Sequence, residues 1–163
     1  NMPTQENKQV GFLVNDLTAS QLSFYLIKNL NEYKDKEELE AVLFFENSSS
    51  SAIKPNFPLM AINEIWNFDG VLISTDVNTT LCLKKCFAPA KKLFYVWDLE
   101  WMRNTTGVTK EFESIIQAFN DESIELIARS KDHAKAIENI SNRKVNHIIE
   151  NFNIEKLMRI ANE

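Results

Sequence analysis

Val10-Gly11-Phe12-Leu13-Val14, closed by Asn15-Asp16, decides how the rest of the chain reads. The run is short, continuous and apolar, the pattern of a strand covered on both faces, and it stops at a polar turn. Thr18 or Ser20 then caps a helix in which Leu22, Tyr25, Leu26, Leu30 and Tyr33 recur at three- and four-residue steps, ending near Lys34-Asp35-Lys36. The alternation repeats downstream. Ala41-Val42-Leu43-Phe44-Phe45 is a second strand closing in Glu46-Asn47, followed by a polar, serine- and proline-bearing loop over residues 48–58. A helical segment around Met60, Ala61, Ile62, Ile65, Trp66 and Phe68 leads through Asp69-Gly70 to a third strand, Val71-Leu72-Ile73, which ends at Thr75-Asp76. Residues 77–86 read as a helix. Leu93-Phe94-Tyr95-Val96 is a fourth strand running into Trp97-Asp98-Leu99-Glu100-Trp101. Helices over 110–119 and 131–140 flank a fifth strand at 124–128, a sixth follows at 145–149, and a last helix begins near Ile154.

This alternation, without repeats or a break in composition, predicts one α/β domain over 1–163, with 1–8 a disordered or extended leader. The expected architecture is Rossmann-like and three-layered, a mostly parallel sheet of about six strands with helices on both faces. The 163 residues, 44% of them hydrophobic, suffice for one core of ordinary size. Eighteen basic against 23 acidic residues, a net charge of -5, leave no excess that would hold a nucleic-acid backbone, so no nucleic-acid partner is expected. No apolar stretch approaches the roughly 20 residues that span a bilayer. Cys82 and Cys86, four apart on one helical face, are placed awkwardly for a disulfide and read as small core residues of a protein kept reduced, in the cytoplasm.

In such sheets ligands gather beyond the carboxyl ends of the strands, where loops and helix N-termini meet. The candidate ligand-binding residues are therefore Asp16 and Thr18 after the first strand, Glu46 after the second, Asp76 after the third, Trp97, Asp98 and Glu100 after the fourth, and Arg129 and Ser130 after the fifth. Asp16, Thr18, Asp76 and Ser130 each read equally as helix caps, and it is their joint position that points to a site. The turn Asn15-Asp16-Leu17-Thr18-Ala19-Ser20 contains no glycine, which excludes a dinucleotide fingerprint or a P-loop there. The two histidines, His133 and His147, fall away from strand ends, and His133, in the first turn of a helix, reads as solvated, so neither a Ser-His-Asp triad nor a histidine-rich metal site is expected. Trp97 and Trp101 around Asp98 and Glu100 form a set suited to a sugar ring, stacked on one side and hydrogen-bonded by carboxylates on the other; the competing reading makes Trp97 a plug over the sheet end.

Three segments together resemble the N-terminal, acceptor-side half of a GT-B type glycosyltransferase of the retaining, sugar-nucleotide-dependent group: residues 68–76, residues 92–100 with Trp97 at a position usually held by histidine, and residues 127–133 followed by 145–154. The resemblance implies that the rim residues bind or orient a saccharide or glycosylated acceptor. It also implies that the sugar nucleotide binds mainly to a second domain or chain beyond 1–163, so this chain carries no cofactor of its own, and no metal, and is inactive in isolation. The alternative is a non-catalytic Rossmann-like binding or assembly module.

Overall fold

The computed structural model describes residues 9–17, 20–36, 40–47, 53–102 and 109–163. The expected Thr18, the leader 1–8 and residues 48–52 of the serine-rich loop lie outside them. Strand β1 (Val10–Asp16) leads to helix α1 (Gln21–Lys36), and β2 (Ala41–Asn47) to a short strand β3 (Leu59–Ala61) and a 3-10 turn (Ile62–Asn67). Then follow β4 (Val71–Ser74), α2 (Val77–Lys84), β5 (Lys91–Tyr95), a 3-10 turn (Glu100–Met102), α3 (Thr109–Phe119), β6 (Ile124–Ala128), α4 (Lys131–Ser141), β7 (His147–Ile148) and α5 (Ile154–Ala161). The strands form one sheet in the order β3-β2-β1-β4-β5-β6-β7, every neighbouring pair parallel.

The opening run shows why the chain takes three layers. Successive side chains of a strand point to opposite faces, and both faces of β1 are covered. Phe12 packs with Val10 and Val14 into a core completed by Leu26, Ile27 and Leu30 of α1 and Leu157, Met158 and Ile160 of α5. Leu13 packs into the opposite core with Val77 and Leu83 of α2, Ile115 and Phe119 of α3 and Ile137 of α4. At the start of β4, a Cβ on Gly70 would lie 2.1 Å from the carbonyl oxygen of Gln9, so only glycine lets β4 run close enough for Val71 N–H to donate to that oxygen at 2.9 Å.

Two expectations change. Met60 and Ala61, read as helical, belong to β3, a strand beyond the six expected. Leu43 N–H donates to Pro58 O at 3.0 Å and ties the segment to β2, so helical structure begins only at Ile62. β3 is only three residues long and all three are exposed, so its apolar side chains reflect no burial in the sheet. The last strand is also shorter than the expected 145–149, pairing with β6 only at His147 and Ile148. Among the described residues no helix is long and apolar enough to cross a membrane.

Candidate functional site

The connections leaving β1 and β4, adjacent parallel strands, diverge to opposite faces of the sheet, α1 on one and α2 on the other. The crevice left between them is where this architecture usually takes ligands. Its floor is polar. Thr75 Oγ1 donates to Leu13 O at 2.7 Å, and the Ser74 and Thr80 hydroxyls bond at 2.7 Å, all three side chains buried.

Above the floor, the N-terminus of α2 draws together the ends of three strands. Asn78, in the first turn of α2, donates through Nδ2 to Asn15 Oδ1 at 2.6 Å and to Glu46 Oε2 at 2.6 Å. Glu46 and Asn78 are exposed, whereas Asp76 and Glu100 are half-buried. Asp76 caps α2, its Oδ1 accepting from Thr79 N–H and from Thr79 Oγ1, each at 2.7 Å, while Thr79 Oγ1 in turn accepts from Asp76 N–H at 3.2 Å. Burial pushes the Asp76 carboxyl above its ordinary value; the Thr79 bonds oppose this, and the charge of Glu46 adds to it. Glu100 reaches across from the connection after β5, and its Oε2 accepts from Val77 N–H at 2.9 Å. One helix end thus receives two carboxylates, as its partial positive charge favours.

The ends of β5 and β6 carry a second group. Arg129 lies over the Trp97 ring, with Cζ 3.6 Å from its centroid, and donates to Trp97 O at 3.2 Å. Ser130 Oγ caps α4 by accepting from His133 N–H at 3.1 Å. The half-buried imidazole of His133 is held below its ordinary pKa by burial and by the Arg129 charge, against the opposing pull of Asp98 and Asp132. Half-buried Asp98 lies between Trp97 and Glu100 in sequence, and Asp16 closes β1, where its carbonyl accepts from Ser23 Oγ at 3.0 Å.

The expectation that Trp97 offers an open flat surface is corrected. Its side chain is 4% exposed, because Phe152 stacks on it at 5.1 Å and 22° and Arg129 covers it as well. Trp97 closes the sheet end. The structure therefore brings Glu46, Asp76 and Glu100 together around α2, sets Arg129 against Trp97, and uses Asp76 and Ser130 as caps. It adds two residues that sequence reasoning passed over. Asn78 had only the mild signal of an amide two positions after a cap, and His133, read as solvated, lies in the first turn of the helix that follows β6 and feels both Arg129 and Asp98.

Chemically, the first group offers carboxylate acceptors and an amide at an accessible rim, a set that recognises hydroxyls. Among the described residues no three His, Cys, Asp or Glu side chains gather as a metal centre. Cys82 and Cys86 are free thiols, and Cys86 is buried in the core as expected. Comparisons with protein-family models, with curated proteins and with solved structures find no match to this chain.

Proposed function

We propose that this chain is a saccharide-binding α/β domain of the kind that forms the acceptor side of a GT-B type glycosyltransferase. The observation that carries the reading is the Asn15–Asn78–Glu46 bridge at the crevice between β1 and β4, a row of amide and carboxylate groups exposed at Glu46 and Asn78. Glu46 and Asn78 take the acceptor hydroxyls, Asp76 and Glu100 fix the helix that presents Asn78, and Asp98 with Arg129 and Ser130 bounds the far side. The donor sugar nucleotide binds chiefly to a second α/β half, and transfer needs both. Two free thiols fit a reducing, cytoplasmic setting.

The test is titration of the purified chain with a panel of neutral mono- and oligosaccharides, for the parent and for Asn78→Ala and Glu46→Gln. A hydrogen bond to a charged group contributes about 1.5–3 kcal/mol, so Glu46→Gln is expected to weaken binding roughly tenfold or more. No turnover of sugar nucleotides is expected from the chain alone. Absence of saccharide binding, or turnover by the isolated chain, overturns the proposal. A second reading, a non-catalytic assembly module, draws support from the way Asp76, Glu100 and Ser130 are engaged in helix capping and Trp97 is covered. Under it, the rim variants change stability but no ligand affinity.

A further inference from the structure

Away from the strand-end rim, a groove of about 880 Å³ opens between α1 and α5, a volume within the range of about 300–1,000 Å³ usual for ligand pockets. One wall is the connection between β7 and α5. Asn151 and Phe152 there have φ of 49° and 51°, and Asn153 N–H donates to Glu150 O at 3.0 Å, which makes a tight turn with two successive left-handed residues. Such a turn ordinarily takes glycine, and a phenylalanine in it persists only where the surroundings hold it. Here they do so from both sides. Within the core, Phe152 N–H donates to the Tyr95 hydroxyl at 3.2 Å and the ring stacks on Tyr95 and Trp97. From α1, Asn29 Nδ2 donates to Asn151 O at 2.6 Å and to Phe152 O at 3.1 Å. The wall is thus preformed.

The lining is polar without a dominant charge. Glu32, Glu150 and Glu155 are set against Lys156 and Arg159, and Glu155 is already paired with Arg159 at 3.0 Å. This balance offers little to a phosphorylated ligand. What recurs is the carboxamide, at Asn29, Asn151, Asn153 and Asn162, beside the Tyr33 side chain; Asn29 Nδ2 is committed to the turn, and Asn153 Oδ1 caps α5 by accepting from Lys156 N–H at 3.1 Å. Amides present donors and acceptors together, which matches a chain of hydroxyls, each of which is also both.

We infer that the α1–α5 groove is a second carbohydrate subsite, one that takes a neutral oligosaccharide. The inference rests on the saccharide-binding reading of the domain but places the ligand on different residues. In the assembled site it holds the more distant units of a glycan, and its wall shares the Phe152–Trp97–Arg129 stack with the rim.

The experiment is a nuclear magnetic resonance titration of the labelled full chain, read at the asparagine side-chain amides. The probes are neutral trisaccharides with glucose, galactose, mannose or N-acetylglucosamine units, with glucose 6-phosphate as the anionic comparison. Asn29, Asn151, Asn153 and Asn162 report the groove, and Asn15 and Asn78 report the rim. The expected result is saturable shifts at the groove amides with at least one neutral trisaccharide and none with the sugar phosphate. Asn162→Ala, at an exposed position, should weaken this about threefold to tenfold, the equivalent of one neutral hydrogen bond, while the unfolding midpoint stays unchanged. Shifts confined to Asn15 and Asn78 overturn the subsite and leave the rim proposal standing. Shifts confined to the groove support the subsite and overturn the rim. A response to the phosphate alone, no response to any sugar, or sugar-independent broadening of the groove amides with protein concentration, the mark of a contact between copies, overturns the subsite.

Discussion

Replacing Phe152 separates two forces that the folded chain balances at a single residue. Its ring is fully buried, stacked on Tyr95 at 4.1 Å and 17°, and truncating a buried phenylalanine to alanine costs about 3–5 kcal/mol. Its backbone, at φ 51°, sits where a side-chain-bearing residue is disfavoured by about 1–2 kcal/mol. Phe152→Ala loses the ring and keeps the backbone penalty. Phe152→Gly loses the same ring and relieves the penalty, set against about 0.4–1 kcal/mol for the greater freedom of glycine in the unfolded chain. The glycine variant should therefore be the more stable of the two by about 0.5–1 kcal/mol, reversing the order that glycine and alanine show in ordinary helix or strand positions. Equilibrium unfolding in urea, with the denaturant slope checked for equality among the three proteins, measures the difference. A glycine variant equal to or weaker than the alanine variant would refute the conformational part of the argument, and a loss below about 2 kcal/mol for Phe152→Ala would refute the packing part.

Tyr95→Phe leaves Phe152 N–H and Ile149 O without their shared hydroxyl and should destabilise by about 1–3 kcal/mol. In the parent protein the Tyr95 phenol is pushed from 10.0 up to about 12 by burial, so it retains its proton in the folded state after it would ionise in the unfolded one. Stability should then fall as pH rises through that interval, and ultraviolet titration should show one phenol ionising late. Asp76→Asn keeps an oxygen to cap α2 while removing a carboxylate whose pKa is raised on folding. The native state binds the extra proton, so parent stability declines relative to the variant as pH rises above 3.8; denaturation at pH 3 and pH 7 should show the variant gaining on the parent. His133 has the opposite sign, since its folded pKa is lowered and the unfolded chain takes up the proton first. The parent should lose stability as pH falls below 6.5, and His133→Gln should flatten that part of the profile.

Most of the strands that sequence reasoning found are buried on both sides; β7, at the far edge and only partly buried, is the exception. Residues such as Phe12, Leu13 and Leu72 have no polar neighbour in the strand because neither face of the sheet meets water. β3 escaped because an edge strand is defined by its pairing rather than by its composition, and Leu59, Met60 and Ala61 are all exposed. The strand-end rule located Glu46, Asp76, Glu100 and Arg129, since topology alone sends those positions to one rim. It had no means of knowing that Trp97 is covered. The residue that covers it, Phe152, lies far along the chain and points inward through a left-handed backbone that nothing in Glu150-Asn151-Phe152-Asn153 announces, glycine being absent. His133 was misread for a related reason: Asp98, whose charge it feels, comes from the connection after β5 and is brought near only by the finished sheet.

The position of β1 has a consequence for how the chain assembles as it is made. β1, the earliest in sequence of the described strands, becomes an inner one, with β2 on one side and β4 on the other. When β2 and β3 have emerged, β1 still presents an open edge to the cell, because Val10 must wait for Val71 and Leu13 for Ser74. Joining β4 to that edge closes the longest loop in the sheet, and from there β5, β6 and β7 add one at a time to the strand just laid down. The meeting of β1 with β4 spans the greatest sequence separation between neighbouring strands of the sheet and is expected to be the slow step of its assembly, and the crevice between those two strands exists only after it has passed.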